Sequence, residues 1–319
     1  MTTTATMTQT KNTTKNTTKT MTKNTTSSSA ASRPARLIVA RSIAMLAASA
    51  AMLTGCSINP VSAKGQLSQA VADAKSVVVA TENGSVELIH DPSATSMQIS
   101  AAIRCSGQTE EKAAERVKAT KLVAERDASG AVRVGVVFPP REPAVTVVFV
   151  GEMAGSDDAA NIVIRAANLD GIEVSTSNGS IDVGAFSGLA KLATTNGSIE
   201  VKDHAGPVDA RSSNGAIRAS GVLAPIAAET SNGRIEVSLA PNAQGDIELE
   251  TSNGSVTLDL GASWQGTVTA DTSNGRIELS GGERVKKRSA QMMTIGDASK
   301  ASAKIDTSNG RITVRAAKN

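Results

Sequence analysis

Four carboxylates, Asp182, Glu200, Glu236 and Glu278, fall at the same position of an internal repeat. Equivalent side chains of a parallel stack lie about 5 Å or a multiple of that apart. A pair of acids at such a separation can cleave a glycosidic bond, one protonating the leaving oxygen while the other attacks or activates water. The same repeat position also holds Arg218, Thr257 and Thr313, and neighbouring positions hold Lys191, Arg234, Arg276 and Arg311. That mixture reads better as a solvated face of alternating sign than as a catalytic column. Sugar sites also commonly offer aromatic surfaces, and the chain has one Trp (Trp264), three Phe and no Tyr. His90 and His204 stand apart from each other and from any Cys, so no metal, cofactor or Ser/His/Asp centre is expected on either. Cys105, in the strand-like run "MQISAAIRC", reads as a small buried residue rather than a reactive thiol.

The element that must position these groups is the repeat. Asn-Gly pairs stand at Asn83-Gly84, Asn178-Gly179, Asn196-Gly197, Asn214-Gly215, Asn232-Gly233, Asn253-Gly254, Asn274-Gly275 and Asn309-Gly310. From Asn178 onward the spacings are 18, 18, 18, 21, 21 and 35 residues. The positions six and four before each Asn, and three and five after it, are apolar in every copy, from Val77, Val79, Val86 and Leu88 to Ala303, Ile305, Ile312 and Val314. The residue two before the Asn is always Thr or Ser, and the positions between the apolar ones are mostly charged or hydroxylated. This period of two marks a half-buried strand on each side of a turn. Asn and Gly tolerate positive φ, so each pair is expected to bend the backbone through that region.

Two architectures fit the alternation, a meander of antiparallel hairpins and a solenoid of stacked coils. Near-identity at a fixed period is what stacking in register rewards, Thr over Thr and Asn over Asn, so the predicted class is all-β, a parallel β-solenoid of 18–21-residue coils over residues 168–319. The interval of 35 reads as two coils, the first lacking its Asn-Gly and carrying "GGERVKKRS" as a loop. Residues 75–167 are expected to form an N-terminal strand, helix and hairpin that cap the solenoid. Within them Thr109 precedes a short helix with Glu110 and Glu111 in its first turn. "TKLVAERDASGAVRVGVVF" reads as a hairpin, and Pro139, Pro140 and Pro143 precede a strand, "AVTVVFV". Residues 56–74 read as a linker.

Residues 1–32 are nearly all Thr, Ser, Asn, Lys, Met and Ala, a tract that cannot repay the entropy of ordering and reads as a disordered leader. In residues 33–55, Arg33, Arg36 and Arg41 precede an apolar run too short for a full membrane span, closing in "LTG" before Cys56. This resembles a bacterial lipoprotein signal peptide. The resemblance implies that the Cys56 thiol receives the lipid, becomes the first mature residue and holds the chain to a membrane of the cell envelope on its extracytoplasmic side. Cys105 is then left without a disulfide partner. The first 55 residues hold seven of the 33 Lys and Arg and none of the 30 acidic residues, so residues 56–319 carry a net charge of about −4. A mildly acidic chain nearly free of aromatics lacks the footprint that nucleic-acid binding needs.

The stretch "SVVVATENGSVELI", the helix and hairpin, and the serial "TSNGSIxV" units resemble the bacterial putative-adhesin family, a domain of unknown function, over roughly residues 75–316. That resemblance implies a parallel β-solenoid, an extracytoplasmic membrane-associated setting and no catalytic residues. The leading expectation is a lipid-anchored, non-enzymatic envelope protein whose solenoid presents a surface to an unidentified protein or surface polymer. The alternatives are a carbohydrate-active enzyme using the acidic column and an accessory component of envelope stress signalling.

Overall fold

The computed structural model describes residues 61–140, 157–223, 225–286 and 290–317. Cys56, the leader and the "AVTVVFV" run lie outside them. The chain runs through β1 (Val61–Val71), β2 (Ser76–Asn83), β3 (Val86–His90), β4 (Met97–Gly107), α1 (Glu110–Ala119), β5 (Lys121–Arg126), β6 (Val132–Val137) and β7 (Ala159–Ala166). Coils follow in pairs of strands: β8 and β9 (Gly171–Asn178, Ile181–Val183), β10 and β11 (Leu189–Thr194, Ile199–Lys202), β12 and β13 (Val208–Ser212, Ile217–Val222), β14 and β15 (Ile226–Thr230, Ile235–Leu239). Next come β16 and β17 (Ile247–Thr251, Val256–Leu260), β18 and β19 (Gly266–Thr272, Ile277–Ser280), β20 (Glu283–Lys286), β21 (Ala290–Ile295), and β22 and β23 (Ser302–Thr307, Ile312–Ala316).

Equivalent strands of successive coils pair in parallel and in register, Ile172 with Ala190, Ala190 with Val208 and Val208 with Ile226, so the solenoid and not the meander is the fold. Among the described residues one sheet has eleven strands, β1-β4-β7-β3-β9-β11-β13-β15-β17-β23-β19. The other has twelve, β20-β21-β18-β22-β16-β14-β12-β10-β8-β2-β6-β5. The apolar positions of both sheets point into the space between them; Val86, Val174, Ile199, Ile235, Leu249 and Ile312 are at most 2% exposed. Each such side chain stabilises the stack by about 1.5–3 kcal/mol relative to exposure. Corners between one coil and the next are filled by Leu169, Phe186, His204, Val222 and Trp264.

The "TSNG" phrase is explained residue by residue. The buried Thr hydroxyl donates to a Gly carbonyl of the adjacent coil, as from Thr194 to Gly179, Thr230 to Gly215 and Thr251 to Gly233, each at 3.0 Å. The Asn backbone N–H donates to a carbonyl of the adjacent coil, Asn232 to Ser213 and Asn253 to Ser231. The Asn side chains form one ladder, each Nδ2 donating to the neighbouring Oδ1 at 2.8–3.1 Å. The glycine has a different reason from the expected one. Only Gly84 of the eight turn glycines has φ in the left-handed region. The others are needed because a Cβ would overlap the glycine carbonyl of the next coil, Gly233 on Gly215 for example. Close stacking, not backbone handedness, selects Gly here.

At the N-terminal end the expected linker is partly a strand. All of β1 pairs antiparallel with β4, from Val61 opposite Gly107 to Val71 opposite Met97. Its alternating burial shows why: Ala63, Gly65 and Leu67 turn inward, and a Cβ on Gly65 would meet Val117 of α1. The Asn83 pair belongs to a full coil, with β2 against β8 and β3 against β9. The helix begins as expected, Thr109 Oγ1 accepting from Lys112 N–H at 3.2 Å. The hairpin is β5 and β6.

The far end departs from the sequence reading. The interval of 35 is not two coils with one turn missing. After β18 and β19 the chain forms an antiparallel hairpin, β20 with β21, which covers β18. Part of the basic run expected as a loop, Glu283–Lys286, is therefore strand. The chain then turns back, and β22 and β23 enter between the coil of β16 and β17 and the coil of β18 and β19. The last coil in sequence is next to last in space.

Candidate binding surface

On the outer face of the eleven-stranded sheet the expected column forms in register: Glu87, Asp182, Glu200, Arg218, Glu236, Thr257, Thr313 and Glu278. Arg218 separates Glu200 from Glu236, and cations occupy the carboxylates. Lys202 Nζ lies 2.9 Å from Glu200 and 3.6 Å from Asp182. Glu236 receives Arg218 at 2.9 Å and Arg234 at 3.4 Å, and Arg276 lies 3.8 Å from Glu278. The hydrogen bond that Lys202 donates to Glu200, with the Asp182 charge second, holds the Lys202 ammonium above the usual lysine range. Asp182 and Glu200, the only adjacent acids of the expected set, thus share one ammonium as an exposed ion-pair cluster.

The twelve-stranded sheet carries a second column that the sequence reading missed. Arg211, Glu229, Glu250, Asp306 and Asp271 stand in register on consecutive strands. All five stand three residues before a repeat Asn, a shared position that could have revealed the column, while the insertion of the last coil sets only the order, placing Asp306 between Glu250 and Asp271. Lys304 balances this region, 3.1 Å from Asp306 and 3.2 Å from Glu248. Asp306 first and Glu248 second raise its pKa. Beside this face runs a groove of about 460 Å³ that crosses five coils where their strands begin, lined by Leu189, Pro207, Pro225, Asp246 and Ser302 in one row and by Asp209, Glu248 and Lys304 in the next, so that it is apolar toward Leu189 and charged toward Lys304. Leu189 is one of three large apolar side chains more than a third exposed among the described residues.

The remaining candidates are structural. Trp264 is 1% exposed, and its indole N–H donates to Gly245 O at 3.1 Å, so it offers no stacking surface. His204 is fully buried, Nε2 2.8 Å from Gly188 O and Nδ1 3.4 Å from Gly184 O, and burial lowers its pKa. His90 meets Phe186 edge to face at 5.4 Å. Cys105 is buried, its Sγ 3.4 Å from Thr120 Oγ1. The described residues contain no group of three His, Cys, Asp or Glu placed to hold a metal ion.

A buried ion pair also escaped the sequence reading. Arg116 of α1 makes a two-pronged contact with Asp158, Nη1 at 2.9 Å and Nη2 at 2.6 Å, and Asp158 also accepts from the Ser106 N–H at 3.0 Å. Arg116 further donates to Ser106 O and Pro139 O. The Asp158 hydrogen bond raises the Arg116 pKa. The pair ties the helix to the start of β7, and 42 residues separate its members in sequence.

Residues 189–318 match a domain of unknown function, DUF7330. No curated protein sequence matches the chain. Among solved structures, a putative adhesin from Bacteroides fragilis is similar at 10% identity and a TM-score of 0.44, over 80% of this chain and 97% of that one. A putative cell adhesion protein from Clostridium sporogenes is similar at 13% identity and a TM-score of 0.30, over 80% of this chain and all of that one. A putative adhesin from Parabacteroides merdae is similar at 10% identity and a TM-score of 0.30, over 80% of this chain and 96% of that one.

Proposed function

We propose that this chain is a non-enzymatic binding protein of the cell envelope, held to a membrane on the extracytoplasmic side through lipid on Cys56. It presents the flank of its solenoid to an elongated ligand, a protein segment or a surface polymer. The observation that carries this reading is the groove across five coils, apolar at its Leu189, Pro207 and Pro225 end and of mixed charge at its Asp246, Glu248 and Lys304 end. A ligand lying along it touches several coils in turn, so affinity accumulates from many weak contacts rather than one hot spot. Against the enzyme alternative stand the cations beside all four acids of the expected column, Asp182, Glu200, Glu236 and Glu278, and the burial of the single Trp.

The test measures retention of the lipid-free mature chain on immobilised envelope polymers and membrane proteins, alongside release of reducing ends. Retention that drops with Leu189→Asp and no released ends supports the proposal. Glycan cleavage eliminated by Glu200→Ala or Glu236→Ala overturns it. The anchor is tested separately: labelled fatty acid should enter the chain and be lost with Cys56→Ser, together with membrane retention.

A further inference from the structure

Eight Asn-Gly dipeptides in one chain carry a chemical liability. The backbone nitrogen of the glycine can attack Cγ of the asparagine: a C–N bond forms, the side-chain nitrogen leaves as ammonia with the proton displaced from the backbone nitrogen, and a cyclic succinimide results. Water then opens that ring to aspartate or isoaspartate. Glycine favours the attack because it has no Cβ to obstruct the swing of its peptide. The reaction needs two freedoms: the Asn side chain must rotate to bring Cγ over the next nitrogen, and the Gly peptide must leave its packed position.

The stack withholds both freedoms from six Asn residues. Asn178, Asn196, Asn214, Asn232, Asn253 and Asn309 each donate Nδ2 to one neighbour and accept on Oδ1 from another. Asn83, at the N-terminal end of the ladder, is held on both sides as well, because its Nδ2 donates to Asp158 O at 3.2 Å while its Oδ1 accepts from Asn178. The other end is different. Asn274 donates to Asn309 at 3.1 Å, and no described residue donates to its Oδ1. Gly275 packs against Gly310 on one side and, alone among the eight turn glycines, is exposed. Among the described residues, the covering hairpin pairs with β18 from Gly266 to Asp271.

We propose that Asn274 is a site of spontaneous deamidation, the one rung of the ladder that modifies itself while the chain is folded. The product changes the end of the stack. A carboxylate at position 274 no longer has the N–H that Asn309 Oδ1 accepts, and it places oxygen against oxygen there. An isoaspartyl linkage also lengthens the backbone by one carbon at the point where Gly275 must seat on Gly310. Modification therefore loosens the terminal coil and adds a negative charge at the exposed end.

The experiment incubates the full chain at mildly alkaline pH, native and urea-unfolded, and follows aspartyl and isoaspartyl products at each Asn-Gly by peptide mass spectrometry. Opening the end rung breaks one ladder bond fewer than opening an interior rung, which favours it about fivefold. In the native chain Asn274 should therefore convert about fivefold faster than any of the other seven, whereas the unfolded chain should convert all eight at similar rates. Native conversion that is uniform, that begins at Asn83 or an interior rung, or that spares Asn274 while the unfolded chain reacts, overturns the proposal. Asn274→Gln should remove the early product without a new early site taking its place; a new one would overturn it equally.

Discussion

The Asn274 side-chain amide donates to Asn309, 35 residues later in the chain, and not to Asn253, which is closer in sequence. Asn309 itself donates to Asn253 at 2.9 Å. The final coil is therefore a wedge whose strands have neighbours on both sides, and an end coil in sequence has become an interior coil in space.

Removing residues 298–319 should consequently cost far more than trimming a terminus. Ala303, Ile305, Ile312 and Val314 are at most 1% exposed, and their loss leaves two facing coils unpaired. With about 1.5–3 kcal/mol for each large aliphatic residue against a total stability of about 5–15 kcal/mol, the denaturation midpoint should fall sharply. A peptide of residues 298–319 added in trans should raise it again. An unchanged midpoint, or no response to the peptide, would show that the Asn274 coil closes the gap by itself.

Ile235 and Glu236 test the alternation at adjacent positions. Ile235 is fully buried, so Ile235→Ala should cost about 2–5 kcal/mol and Ile235→Asp should abolish cooperative folding, since an unpaired charge would enter the core. Glu236 is an exposed partner of Arg218 and Arg234, and Glu236→Gln should cost under about 1 kcal/mol in chemical denaturation. Glu236→Lys is a poorer control, because it would set a third cation beside those two arginines.

The inner columns were legible because burial imposes a strict period of two, and every position so assigned from Val77 to Val314 is apolar. The ladder was legible as identity, Asn over Asn, without its bonds being known. The order of coils was not legible: a spacing of 21 residues between Asn253 and Asn274 is the same whether the two coils touch or are wedged apart. The role of β1 was hidden for a related reason. Its inward residues, Ala63, Gly65 and Leu67, are small or isolated among Ser, Lys and Gln, so the run lacks the apolar signal of the coils. Arg116 and Asp158 lie on elements with no shared repeat, and nothing in either local sequence points to the other.

The glycine column separates two reasons for conserving space at a turn. A methyl on Gly233 would strike the backbone carbonyl of Gly215, which cannot rotate away without breaking the stack. Gly130 has φ of 84° with nothing within 4 Å of its would-be Cβ. Gly130→Ala should cost about 1–3 kcal/mol of backbone strain. Gly233→Ala should cost that much or more through overpacking and should also weaken the ladder. The discriminating readout is amide hydrogen exchange at Asn232 and Asn253, which should speed up in Gly233→Ala and stay unchanged in Gly130→Ala.

His204 makes the stability of the stack depend on pH in one direction. Burial is the chief cause of its lowered pKa, with the Gly188 and Gly184 carbonyls opposing, so the folded chain keeps the imidazole neutral below the value at which an unfolded histidine protonates. As pH falls through about 6.5, the reference value for a free histidine, the unfolded state takes up a proton that the folded state refuses. The unfolded state then binds more protons, and stability rises with pH across that window and levels off above it. Lowering the pH from 7.5 to about 5 should thus reduce the denaturation midpoint of the native chain. His204→Gln can still donate to Gly188 O but cannot titrate, so its midpoint should be lower at neutral pH and should change less between the two values. A His204→Gln chain with the same pH slope as the native one would place the titrating group elsewhere.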